Sequence, residues 1–189
     1  EGFAETLKLF ALTLAFSIPL GLVICFGSMS RLKLVRFPIR FLIWVIRGTP
    51  LMLQLIIIFY GPGLMFGRPA MPRFTATIVA FSINYAAYFA EIYRGGIESI
   101  NSGQYEAAQV LGYSKIETFF IIIMPQVFKV ILPSVTNEVI TLVKDTSLSF
   151  VIAVPEMFTV AKQIAAADAS ISALLVAGVF YYVFNVLVA

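Results

Sequence analysis

The chain has 189 residues, 60% hydrophobic and 12% charged, with a net charge of +3, and that balance belongs to a polypeptide built for a bilayer. It has no histidine and one cysteine, Cys25, inside an apolar run, which excludes a disulfide framework, a thiolate metal cluster and the commonest general base. The basic residues are scattered between apolar segments, so they make no nucleic-acid stripe and report topology instead.

In chain order, Leu9 to Ser30 is uncharged and long enough to cross about 30 Å of hydrocarbon as a helix, with a kink expected at Pro19 and Gly21. The chain begins with Glu1 rather than Met and ends in an apolar run at Ala189, so trimmed termini are expected. Arg31, Lys33, Arg36 and Arg40 follow in one short, acid-free loop. The positive-inside tendency puts this loop in the cytoplasm and the N-terminus outside. A second span is predicted from about Phe41 to Tyr60, opened locally by the proline of Arg47-Gly48-Thr49-Pro50. Arg47 there either snorkels to the headgroups or meets a solute. Gly61-Pro62-Gly63 is expected to end the span, leaving an external loop to Arg73. Gly61 and Gly67 lead into Arg68-Pro69 rather than Lys-Ser/Thr, so this loop is not a phosphate loop.

Phe74 to Ala90 is charge-free and reads as a third span continuing through Glu91 and Arg94 towards Ile97, back to the cytoplasm. An elbow follows at about 99–118. Glu106-Ala107-Ala108 lies in a helix-forming run, Gly112 ends it as a helix C-terminus favours, and Ser114 to Glu117 has capping-box spacing. The second arm continues through Phe119 and Phe120 into a fourth span, which carries Lys129, Asn137, Glu138, Lys144 and Asp145. Polar residues in a span face a bundle interior or an aqueous cavity. Thr146 to Pro155 is too short to cross alone and reads as a re-entrant or broken continuation. Glu156 to Asp168 is mildly amphipathic and is expected on the outer surface. Ala169 to Ala189, uncharged and rich in small residues, is the fifth span.

The spacing Glu106, Ala107, Ala108, Gly112, Ile122, Pro125 resembles the EAA loop of permease subunits of bacterial ABC importers, with Met124 in place of the usual Leu. Arg47-Gly48-Thr49-Pro50, Asn84-Tyr85-Ala86-Ala87-Tyr88, Glu91-Ile92-Tyr93-Arg94-Gly95-Gly96 and Lys144-Asp145-Thr146-Ser147-Leu148 resemble the polar amino-acid branch of that family, the histidine, arginine and glutamine type. The resemblance spans residues 47 to 155. It implies an all-α membrane protein of the MetI-like permease fold. It also implies a cytoplasmic ABC ATPase in two copies, which binds the ATP and Mg that this chain does not hold and docks on Glu106, Ala107, Ala108 and Gly112. A second permease subunit, identical or homologous, an extracytoplasmic solute-binding protein and a bacterial inner-membrane location complete the expectation.

The residues themselves support recognition rather than catalysis. No nucleophile with its base is evident. A zwitterionic solute needs donors for its carboxylate and acidic or carbonyl groups for its ammonium, in a cavity shielded from lipid. Asn84 and Tyr88 share a helix face at i, i+4, Tyr85 adjoins them, and Glu91 continues the face one turn later; the tyrosines serve either packing or the pathway. Glu91 and Arg94 are spaced to pair with each other or to meet a ligand. Glu138 and Asp145, seven residues apart, present carboxylates on one face with Thr141 between them, and Ser147 follows in the last motif. That face is either a binding wall or a structural polar network. Three acids on the presumed pathway lean towards a cationic amino acid of the arginine, lysine and histidine class.

The expectation is thus one permease domain over 1–189 with five transmembrane helices, surrounded by membrane lipid and completed by a second subunit, and without nucleic acid or metal. Two rivals remain. An ion-coupled secondary amino-acid carrier should show an inverted repeat with paired broken helices, which is not visible. A non-transporting membrane receptor or scaffold would have no use for polar spans.

Overall fold

A computed structural model describes residues 1–67 and 71–189. Arg68 and Pro69, part of the expected external loop, lie outside the described residues, among which there is no strand. Helix α1 runs unbroken from Gly2 to Ser28 with Pro19 inside it, and so starts about two turns before the predicted span. Its buried residues are Gly2, Thr6, Leu9, Thr13, Ser17, Gly21, Cys25 and Ser28. This spacing of three and four marks one stripe of mostly small side chains, the face that lets helices approach in lipid.

The next two elements correct the predicted second span. Helix α2 (Lys33–Arg47) and helix α3 (Leu51–Phe66) meet at 107°, so Phe41 to Tyr60 is not one kinked helix. The basic segment is itself mostly helical, because only Met29 to Leu32 separates α1 from α2. Pro50 stands in extended backbone immediately before α3, where its missing N–H costs nothing. The Gln54 amide holds the corner by donating to the carbonyls of Ile46 (2.8 Å) and Thr49 (3.1 Å) and to the Thr49 hydroxyl (2.8 Å). Gly61-Pro62-Gly63 does not end α3. The helix passes through it and stops at Gly67, which adopts the left-handed conformation with φ +60°.

Helix α4 (Arg73–Glu98) forms its most extensive contact with α1. A Cβ on Gly21 would lie 2.8 Å from the Phe89 Cβ and 3.1 Å from the Ala86 carbonyl oxygen, so the missing side chain sets how closely these helices approach. The elbow follows the sequence expectation in its local geometry. Helix α5 (Ser102–Val110) is closed just past its end by Gly112, φ +81°, with Tyr113 N donating to Ala108 O and Gly112 N to Gln109 O, both at 3.0 Å. These are the two bonds of a Schellman motif. Helix α6 (Lys115–Glu117) is capped reciprocally, Glu117 N donating to Ser114 Oγ at 3.3 Å and Ser114 N to the Glu117 carboxylate at 2.8 Å. One π-helical turn, Thr118–Ile123, leads into helix α7 (Met124–Asp145), and a 3-10 turn, Thr146–Ile152, extends it.

Helix α8 (Met157–Ala167) and helix α9 (Ser172–Val188) close the bundle. In the segment expected on the outer surface, the first residue is turned inward. Glu156 is fully buried and accepts from Phe158 N (2.7 Å), Thr159 N (2.6 Å), the Thr159 hydroxyl (2.7 Å) and the Tyr181 hydroxyl (3.0 Å). Four donors, two of them orphan amides at the start of α8, offset the cost of burying this carboxylate. By length and composition α1 and the continuous run Lys115–Ile152 can each cross a membrane, as can α2 and α3 taken as one bent pair.

Candidate functional site: a polar cavity between α4 and α7

Between α4, α7 and the α2–α3 corner lies a cavity of about 390 Å³, lined by Thr49, Pro50, Leu51, Asn84, Tyr85, Tyr88, Glu138, Thr141, Asp145 and Leu148. Six of the eight side chains singled out in the sequence therefore share one cavity. Asn84, Tyr85 and Tyr88 come from α4, where their i, i+1, i+4 spacing keeps them on one side. Glu138, Thr141 and Asp145 come from α7 at i, i+3, i+7.

The two walls touch at one strong bond. Tyr85, only 1% exposed, donates from its hydroxyl to Asp145 Oδ2 at 2.8 Å. Asn84 donates to Gln54 Oε1 at 3.0 Å, so the amide that the sequence suggested for the pathway is also the brace between α4 and the α2–α3 corner. Glu138 is half-buried with neither a hydrogen bond nor an ion pair among the described residues. Thr141 spends its hydroxyl proton on the Asn137 carbonyl at 2.9 Å. The cavity thus presents one carboxylate held by a phenol and one uncommitted, with no cationic side chain on its wall. Such a surface attracts positive charge.

Two predicted residues do not line it. Ser147 sits on the 3-10 turn and donates to the Lys144 carbonyl at 2.7 Å. Glu91 is claimed by arginines: Arg94 binds both its oxygens, at 3.0 and 2.7 Å, and Arg47 stands 3.6 Å away. Arg94 also reaches Glu98 at 2.6 Å. The Arg47 guanidinium lies over the Tyr88 ring, 5.2 Å from its centroid, and so borders the cavity without lining it. Gln54 was missed by the sequence reading, although a lone amide in the apolar run Leu51 to Tyr60 is a signal, because in hydrocarbon it requires partners.

On the elbow, Glu106 and Ala107 are exposed while Ala108 is buried against the joint. Val110, Leu111 and Ile116 project outward, each more than 70% exposed. They form an exposed apolar tip beside Gly112.

Residues 17–189 match the family described as binding-protein-dependent transport system inner membrane component. The arginine transport system permease protein ArtQ of Bacillus subtilis is 38% identical, over 97% of this chain and 84% of that protein. The histidine/lysine/arginine/ornithine transport system permease protein HisM of Escherichia coli is 33% identical over 88% and 73%, and the L-cystine permease TcyB of Bacillus subtilis 38% over 87% and 70%. A crystal structure of an amino acid ABC transporter with histidines aligns with a TM-score of 0.91 at 34% identity, covering 99% of this chain and 87% of that one. The inward-facing methionine transporter MetNI shares the fold at a TM-score of 0.74 and 14% identity, over 98% and 86%.

Proposed function

The chain belongs to the family of binding-protein-dependent transport system inner membrane components, and on that premise we propose that it is the permease subunit of an ATP-driven importer of amino acids, cationic ones foremost. The observation that carries the solute assignment is the cavity between α4 and α7, with Glu138 uncommitted and Asp145 held by Tyr85. An α-ammonium and a cationic side chain together need two negative partners. The arginine and histidine/lysine/arginine/ornithine relatives point the same way, whereas the cystine relative shows that the framework also serves a neutral solute.

Five spans would form from α1, the α2–α3 corner, α4, the Lys115–Ile152 run and α9, with α1 starting outside and the basic α2 at the cytoplasmic face. One polar face cannot enclose a pathway alone, so a second permease subunit, identical or homologous, completes it. The elbow at 99–118 receives a separate cytoplasmic ATPase, two copies per transporter, which binds ATP and Mg. The exposed Val110, Leu111 and Ile116 supply its apolar contact. ATPase closure then rocks the helices, and an extracytoplasmic binding protein delivers the solute.

The test is ATP-driven uptake of arginine against glutamine by Glu138→Gln and Asp145→Asn in assembled, ATPase-active complexes. Removing either carboxylate leaves a buried cation short of a partner, a loss of about 2–5 kcal/mol for arginine and much less for glutamine. An equal loss for both solutes would refute charge recognition, and no loss would remove Glu138 and Asp145 from the site.

A further inference from the structure

Helix α2 divides its surface three ways. Ile43 and Ile46 are buried. Leu34, Phe37, Phe41 and Trp44 form an exposed apolar stripe, Trp44 being 72% exposed, with the Phe41 and Trp44 rings 6.1 Å apart. Beside that stripe run Arg36, Arg40 and Arg47, spaced by four and seven residues and so aligned along the helix. Arg40, Trp44 and Arg47 open, with Ile43, onto a cavity of about 240 Å³ whose far wall is Glu91 and Arg94 of α4.

Charge in this cavity is not balanced. Three guanidiniums and one carboxylate line it; Arg94 is engaged by both oxygens of Glu91 and by Glu98 outside the cavity, which leaves Arg40 and Arg47 with the weakest neutralisation. Arg47 makes a long ion pair with Glu91 at 3.6 Å, beyond hydrogen-bond range, so its donors stay unspent. Arg40 gives only its Nε, to the Ser28 carbonyl at 3.1 Å, and makes no ion pair among the described residues. Two planar forks with uncommitted donors therefore face one space. A phosphodiester fits them, since its two free oxygens accept in parallel from such forks.

The surroundings select the source of that phosphate. A basic amphipathic helix with an aromatic apolar stripe lies in the headgroup layer, and basic pockets between spans on the cytoplasmic side take anionic headgroups. We propose that Arg40, Arg47 and Trp44 form a headgroup site for an anionic phospholipid, whose acyl chains lie along Leu34, Phe37 and Phe41. The site rests on the bilayer placement argued above and on no step of transport.

The assembled transporter, equilibrated with equal amounts of phosphatidylglycerol and phosphatidylcholine of matched chains, is examined by native mass spectrometry. Phosphatidylglycerol adducts should dominate, and Arg40→Gln should cut the preference roughly fivefold, the share of one basic side chain near a headgroup. Arg47→Gln reads the same cavity without disturbing the Arg40–Ser28 bond and should cost a similar factor. Equal adducts in the wild type, or a preference indifferent to both variants, would overturn the proposal. Adducts stripped by excess inorganic phosphate would mean a free-anion site instead. Disulfide formation between two copies carrying Phe41→Cys would show that protein, not lipid, covers the stripe. Because uptake is not measured, a negative result here leaves the transport reading standing, and the converse holds.

Discussion

Replacing Gly112 separates backbone strain from every other effect at the elbow. Its φ of +81° is in the left-handed region, and an added Cβ would meet nothing within 4 Å, so the cost of a side chain is conformational alone. An L-residue forced there loses roughly 1–2 kcal/mol, and a β-branched one more, because its branched Cβ adds crowding. At this scale the Schellman geometry, held by two bonds of 3.0 Å, falls in population about 5- to 30-fold. Gly112→Val should therefore insert in membranes normally yet lose co-purification with the ATPase and ATP-driven uptake. Gly112→Asn, which tolerates the left-handed region, should retain most of both. Indistinguishable complexes from Val and Gly would refute the docking role, and Asn failing as badly as Val would refute the strain argument.

Cysteines replacing Lys33 and Lys115 should be labelled only by reagents that reach the cytoplasm, and one replacing Met71 only from outside; labelling of Lys33→Cys and Met71→Cys from the same side would break the five-span topology. Gly21→Ala should lower thermal stability in detergent by about 1–3 kcal/mol, since its Cβ would press on Phe89 and on backbone at Ala86, and an unchanged melting temperature would show that α1 and α4 can part freely. Tyr85→Phe keeps the ring in place but removes the donor to Asp145, at about 1.5–3 kcal/mol for a bond to a charged group. It should raise the KM for arginine with assembly unchanged, and an unaltered KM would mean that the bond does not order the site.

The elbow was legible because its signals are local: a glycine after a helical run and a serine three residues before a glutamate each specify a hydrogen-bond pattern within a few residues. The corner at 48–50 was not. A proline in an apolar run reads the same whether the chain bends slightly or by 107°, and what decides is Gln54, reaching eight residues back to Ile46 and across to Asn84 on another helix. The burial of Glu156 was not legible for the same reason. Its window is amphipathic, but the Tyr181 hydroxyl that helps bury it comes from α9, and periodicity is blind to such a partner. The shared face of Glu138, Thr141 and Asp145 was readable from spacing alone, and so was that of Asn84 and Tyr88. That the two faces oppose each other was not. Glu91 continues the α4 face by spacing, and of the two readings left open for it, pairing or ligand contact, the structure shows the pairing, with Arg94 one turn on bound to its carboxylate.

The two walls of the cavity sit on differently anchored helices. Asn84, Tyr85 and Tyr88 ride on α4, which α1 grips along a stripe of small residues and which Gln54 braces from the corner. Glu138, Thr141 and Asp145 ride on α7, whose helical run continues unbroken from the Ser114 cap of the elbow through the π turn at Thr118–Ile123. Near the elbow the two helices touch closely, Ile131 lying where a side chain on Gly96 would be, and Ile92, Tyr93 and Ile97 pack on Ile123 and Val127. On the proposed reading, this close contact at one end and the cavity at the other would let a force on the elbow tilt α7 about the packing and move its carboxylates against the tyrosine wall. Among the described residues the one hydrogen bond from α4 to α7 is Tyr85 to Asp145, so the proposed drive from the ATPase and the proposed grip on the solute converge on the same carboxylate, with no need for the ATPase to approach the cavity.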